Sequence, residues 1–264
     1  MLKFFNDFLS GLVYFFRAFS FSFKHRLWWA YFIPFLLTLV FFMVGWYSVG
    51  YLLDELNAWL LHYFDTEQSA WLGILTPLLT GITWMLVKVG FFIFFSYVNG
   101  YLILIVMSPL LAYLSEKAEY ILTGRRYDFS LKKFVNDVVR GILISIRNFF
   151  YELGLHILIF FAMLIPILGQ FIAVLSPIIL FFVSAYFYGF SFIDYTNERR
   201  NFNLRKSVKF VRSNMGFSVA IGGIYALFLS VPVIGSLAAG IVSVVSVIAA
   251  AVWRVENEKA IKTE

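Results

Sequence analysis

The stretch LIPILGQ, Leu164–Gln170, sits inside a run of 41 residues, Leu153–Ile193, that contains no Asp, Glu, Lys or Arg. A run of more than about 18 apolar residues is long enough to cross a bilayer as a helix. Yet Pro166 and Gly169 break this one in its middle. Proline removes a backbone donor and clashes with the preceding turn, and glycine tolerates the conformations a reversal needs. The run therefore reads as a helical hairpin that leaves and re-enters on the same side. Only 13 residues lie between Leu153 and Pro166, about 20 Å of helix against a hydrocarbon core of about 30 Å, which predicts a half-penetrating hairpin. Non-helical backbone at that depth must face protein or a wet cavity, so Gln170 at the tip becomes a pathway candidate.

The same device recurs as VPVIGS, with Pro232 and Gly235 each 66 residues after Pro166 and Gly169. It lies in a second long uncharged run, Ser213–Trp253. Repeats of this kind often place a binding site at their interface, although they also serve simply to build a bundle. Ser236, Gly240 and Ser243 in this run follow one helix face and allow close helix contact, which predicts a homo-oligomer.

Working outward, 61% of the chain is hydrophobic and 14% is charged, and Leu27–Leu53, Gln68–Val87 and Val89–Ser115 are further charge-free runs. No strict alternation over barrel-strand lengths is present, so the fold class is all-α: a polytopic helical membrane protein forming one membrane domain over 1–264. Cysteine is absent, which excludes disulfides and thiolate chemistry. Asn6, Asp7, Ser10 and Arg17 interrupt the apolar N-terminal stretch, so Met1–Phe23 does not read as a cleaved signal.

Charge sets the sides. Asp54–Glu67 carries four acids and no Lys or Arg, whereas Met1–Arg26, Glu116–Glu152, Asp194–Arg212 and the tail from Arg254 carry four, seven, six and three Lys and Arg residues. The positive-inside rule then puts the acidic segment outside and both termini in the cytoplasm. Leu27–Leu53 crosses outward, and the return from about 70 to 118 is one long tilted span with Pro77 and Pro109 as bend points, or three short spans. Leu153–Ile193 and Ser213–Trp253 are the two hairpins. Lys88 is the one charge inside these runs; an intramembrane lysine marks a pathway or snorkels to the interface.

Three basic segments read as surface helices on anionic lipid. Lys3, Asp7, Ser10, Arg17, Ser20 and Lys24 form a polar stripe on an aromatic helix over 1–26, lying in the headgroup plane or packed on the bundle. Leu131–Leu153 has apolar residues at i, i+3, i+4 with Lys133, Arg140 and Arg147 opposite. Asn203–Met215 sets Arg205, Lys206, Lys209 and Arg212 around Leu204, Val208 and Val211. The excess of positive charge follows topology and no recognition motif accompanies it, so no nucleic-acid partner is expected. Nor does an enzyme reading find support: His25, His62 and His156 are scattered, and no metal-binding, cofactor-binding or nucleophile motif occurs, so no cofactor is expected.

The order SPLLAYLSEKAE (Ser108–Glu119), IPILGQ (Ile165–Gln170), FIDY (Phe192–Tyr195), NMGF (Asn214–Phe217) and VPVIG (Val231–Gly235), behind an aromatic N-terminus and a span containing Pro34, resembles the CysZ sulfate permeases and the related etoposide-induced membrane proteins. The resemblance implies a multimeric protein of the bacterial inner membrane, with two half-penetrating hairpins, that passes sulfate into the cytoplasm. It also implies a sulfate-binding Gly-Leu-Arg-Arg stretch, but this chain reads Arg26-Leu27-Trp28-Trp29 there. Both arginines are replaced by tryptophans that suit interfacial anchoring. Lys24 and Arg26 offer a displaced anion site or serve topology alone. The functional expectation is a permease or channel for a small inorganic anion, with sulfate leading. A non-transporting, membrane-organising protein is the alternative.

Overall fold

The computed structural model describes residues 2–63, 70–125, 131–231 and 234–263. Asp65, Glu67 and Pro232, on which some of the sequence reading rests, lie outside them. Among the described residues all regular structure is helical: α1 Leu2–Lys24, a short 3-10 turn Trp28–Tyr31, α2 Phe32–Tyr63, α3 Ala70–Val106, α4 Ser108–Thr123, α5 Leu131–Met163, α6 Leu168–Glu198, α7 Leu204–Ser213, α8 Met215–Leu229 and α9 Ile234–Thr263. Four helices are long and apolar enough to cross a membrane, or five when the bent α3–α4 pair is taken as one span. The chain is an all-α polytopic membrane protein.

α9 organises the bundle. Over its most apolar window 83% of residues are buried, against 17–22% in the other candidate spans. Its sequence explains this, because Ala239, Gly240, Ser243, Ser246 and Ala249–Ala251 keep its surface thin and let neighbours approach closely. α1, α2, α4, α6 and α8 all pack around it. Gly240 lies so close to Pro34 in the first turn of α2 that a Cβ would overlap the proline ring, and Ser243 is buried. Gly240 and Ser243, two residues of the small-residue face expected to join subunits, are thus packed inside one chain.

The break in the return stretch falls at Met107, where the axes of Val98–Val106 and Ser108–Thr123 differ by 63°. Pro109 in the first turn of α4 is the cause, since it cannot continue the hydrogen-bond ladder from α3. Pro77, the other expected bend point, is contained within α3.

Both hairpin tips share one backbone pattern. Gly169 N–H donates to the Ile165 carbonyl (2.7 Å) and Gly235 N–H to the Val231 carbonyl (3.0 Å), 66 residues on in each case. A Cβ on Gly169 would strike the Met163 carbonyl, and one on Gly235 the Phe228 carbonyl. The arms are less alike. α8 has 15 residues, about 22 Å, and stops short of a full crossing. α5 and α6 have 33 and 31 residues, about 50 and 46 Å. The expectation of a short first arm counted only the uncharged residues after Leu153, whereas the helix begins at Leu131.

That extension corrects a second expectation. Leu131–Leu153 is no separate helix but the first part of α5. Leu131, Val135, Val139, Leu143, Ile146 and Phe150 point outward, while Gly141, Ser145, Asn148 and Glu152 are buried against the bundle. Where the surrounding solvent is hydrocarbon, apolar residues lose nothing by exposure and polar ones gain partners inside. α7 keeps the expected character: Ser207 and Val211 are buried and Arg205, Lys206, Lys209 and Arg212 exposed, with the Asn203 side chain capping its first turn at Lys206 N–H (2.9 Å).

α1 has three faces. Gly11, Phe15, Ala18 and Ser22 pack on the bundle; Leu2, Phe5, Leu9, Val13, Phe16 and Phe23 form an exposed apolar stripe; Lys3, Asn6, Arg17 and Lys24 form the polar one. Both readings of this helix therefore combine, since it lies against α8 and α9 and still presents separate apolar and polar surfaces. Tyr14 donates to Glu256 (2.7 Å); burial and that carboxylate push its phenol up to about 12.

Candidate anion pathway and its supporting core

Lys88, on α3, is half-buried. Its ammonium lies 3.3 Å from the ring centroid of Trp46 on α2 and 5.3 Å from that of Trp84, one turn back on its own helix. Indole faces attract a cation through their quadrupole, most strongly where water is scarce. No carboxylate pairs with Lys88 among the described residues. Asn99 is 11 residues, three turns, further along the same face of α3, about 16 Å away. It is fully buried, and among the described residues neither its Nδ2 nor its Oδ1 has a hydrogen-bond partner. An amide in that state calls for water or an ion.

The other candidates sit elsewhere. Lys24 ends α1 and Arg26 follows in the turn toward α2, both exposed. Gln170 is exposed in the first turn of α6, beside the buried Gly169. Among the described residues, no hydrogen bond or ion pair joins any of the four to another. Arg26 has φ 58°, the left-handed region. Leu27 N–H donates back to the Ser22 carbonyl (2.8 Å) and Arg26 N–H to that of Phe23 (3.2 Å). This is a helix stop that glycine usually occupies, which accounts physically for the glycine that the resemblance implies at this position.

The remaining buried charges form the scaffold. Arg140 on α5 grips Asp194 on α6 bidentately (3.0 and 3.1 Å) and also donates to Ser207 Oγ (3.0 Å) and the Phe202 carbonyl. Arg199 donates to Glu119 (2.8 Å) and Ser115 (2.7 Å) of α4. Arg200 holds Glu258 of α9 (2.5 and 2.8 Å) and reaches Glu119 (3.3 Å). Burial opposes the charge on Arg200, but Glu258 and Glu119 outweigh it and its pKa is raised. The Arg254 guanidinium stands 3.9 Å over the Phe210 ring, with Glu258 at 3.0 Å. Each of these four guanidiniums has a carboxylate partner, so they tie α4, α5, α6 and α9 together rather than offer a free anion site.

The sequence motifs converge on the same layer. Tyr195 of FIDY donates to Ser108 of SPLLAYLSEKAE (3.2 Å), whose hydroxyl donates to the Val138 carbonyl (3.2 Å). Phe217 of NMGF stacks on Trp253 at 4.1 Å, and Gly216 admits the backbone of α1 at Phe4.

Sequence reasoning missed Glu152, which it left in a polar segment. Its carboxylate is wholly buried and accepts hydrogen bonds from Tyr101 on α3 and Ser184 on α6 (2.5 Å). His156 Nδ1 lies 2.8 Å from the Glu152 carbonyl. One signal was available: Gly141, Ser145, Asn148 and Glu152 recur at three- to four-residue spacing, a small and polar stripe on an otherwise apolar helix.

The long apolar helices and the glycine-marked breaks between them define a polytopic helical membrane protein. A family model described as "Sulfate transporter CysZ/Etoposide-induced protein 2.4" matches residues 14–239, and the chain belongs to that family. Among curated relatives, a protein of Vibrio cholerae named "Sulfate transporter CysZ" is 28% identical over 202 residues, covering 75% of this chain and 78% of the relative. Proteins with the same name from Vibrio parahaemolyticus and Vibrio atlanticus are each 25% identical over 191 residues, covering 71% of this chain and 73% and 71% of theirs.

Proposed function

We propose that this protein is a permease or channel for a small inorganic anion, with sulfate the leading substrate, in the bacterial inner membrane with both termini cytoplasmic. One observation carries the reading: Lys88, inside a membrane-length helix, is held by indole faces instead of a carboxylate. An intramembrane cation without a fixed counter-charge attracts a mobile one. The anion passes along the Lys88–Asn99 face of α3, where the Asn99 amide supplies a donor in place of hydration. Lys24 and Arg26 hold an oxyanion at the membrane surface, and Gln170 lines the pathway where hairpin tips of neighbouring subunits meet. Family membership and the relatives' printed names support sulfate.

Sulfate uptake into proteoliposomes tests this. Lys88→Met should slow uptake at least tenfold while Lys88→Arg retains most of it, and chloride should compete poorly. Wild-type flux in Lys88→Met would end the assignment of Lys88, and equal flux of sulfate and chloride would end that of sulfate. The exposed cations of α7, Arg205, Lys206, Lys209 and Arg212, favour a second reading, a membrane-organising protein. In that case function survives Lys88→Met and is lost when the α7 cations are neutralised.

A further inference from the structure

The elbow between α1 and α2 forms an open cleft of about 350 Å³ lined by Phe23, Trp28, Tyr31, Phe32, Phe35 and Ile241. Its walls are aromatic or aliphatic, and no charged side chain lines it. It stands at the end of the exposed apolar stripe of α1, to which Phe23 belongs. Lys24 and Arg26 lie in sequence between the wall residues Phe23 and Trp28, and both are exposed. Among the described residues neither has a carboxylate partner.

We infer that this elbow binds one anionic phospholipid, with an acyl chain in the cleft and the phosphate on Lys24 and Arg26. Each half of the site selects a different part of the ligand. Free sulfate satisfies the cations but gains nothing from six apolar walls. A zwitterionic lipid fills the cleft, yet its own ammonium competes for the phosphate. An anionic lipid uses both halves, because apolar burial scales with methylenes covered and the cations find an uncompensated headgroup charge. Trp28, standing where the resemblance implies an arginine, lines the cleft, so the substitution turns part of an ionic surface into a hydrocarbon one. The inference makes a lipid phosphate, in place of the transported anion, the oxyanion that Lys24 and Arg26 hold, and it stands apart from transport through Lys88.

Native mass spectrometry of the full chain in mild detergent, titrated with phosphatidylglycerol or with phosphatidylcholine of the same chains, measures the site. Wild type should prefer phosphatidylglycerol by roughly 10- to 30-fold, at about fivefold per surface cation. Lys24→Ala/Arg26→Gly should abolish the preference while phosphatidylcholine still binds, and glycine keeps the left-handed turn so the elbow folds. Ile241→Trp, which fills the cleft, should weaken both lipids at least fivefold. Neutralising Lys206 and Lys209 should leave the preference intact. Equal binding of the two lipids by wild type would overturn the inference, as would loss of preference in the Lys206/Lys209 variant matching that at the elbow. Displacement of phosphatidylglycerol by millimolar sulfate, with Ile241→Trp without effect, would make the elbow a free-oxyanion site instead.

Discussion

Removing the Asp194 carboxylate is the sharpest test of how the α5–α6 hairpin is held. Asp194 is 4% exposed and Arg140 24% exposed, and two near-parallel bonds of 3.0 and 3.1 Å join them. Breaking a buried pair from one side costs about 3–5 kcal/mol, because the surviving charge stays out of water. In Asp194→Asn the guanidinium keeps Ser207 and the Phe202 carbonyl and is partly hydrated, which lowers the expectation to about 2–3 kcal/mol. Arg140→Met is worse, at about 3–5 kcal/mol, since the carboxylate it strands is nearly buried and Asp137 and Glu198 add negative charge nearby. Arg140→Met with Asp194→Leu leaves no stranded charge and should recover to within about 1–2 kcal/mol of wild type. Denaturant titration of the four proteins in one detergent gives the cycle. Single losses below about 1 kcal/mol that simply add would refute the claim that this pair fixes the hairpin.

Three further outcomes follow from the geometry. Glu152→Gln keeps an acceptor for one of Tyr101 and Ser184 and offers its NH2 to the other hydroxyl, which can turn to accept it, and should cost about 1 kcal/mol, whereas Glu152→Leu orphans both hydroxyls and should cost about 2–4 kcal/mol in the same titration. Gly169→Ala and Gly235→Ala each drive a methyl into a backbone carbonyl and should each destabilise by about 1–3 kcal/mol; protease nicking at the tips, faster than in wild type, checks it. Arg26→Gly relieves the left-handed backbone and should raise stability by about 0.5–1 kcal/mol, while Arg26→Ala gives no gain, as thermal unfolding would reveal.

The amino-acid sequence alone determined the solvent and the breaks. Charge-free length is a local sum, so Leu27–Leu53, Leu153–Ile193 and Ser213–Trp253 declare a membrane without knowledge of their neighbours. Pro166, Gly169 and Gly235 act on their own turn of backbone, and the reversals stand where those residues do. The helical class and the family followed from these features and from the order of the motifs. Which way each helix faces was decided only by tertiary structure. In a bilayer apolar side chains are stable outside as well as inside, so the pattern of Leu131–Leu153 alone does not separate a free surface helix from the first part of the longer α5. Glu152 and Arg140 are tolerable inside the bundle only because Tyr101, Ser184 and Asp194 arrive from other helices, partners no local window contains. Likewise α9 became the centre because its small residues admit several neighbours at once, a property of the assembled bundle. For Lys88 the sequence supplied the charge and its depth. The indole of Trp46, brought across from α2, fixed where that charge rests, because a cation is placed by whatever compensates it in space.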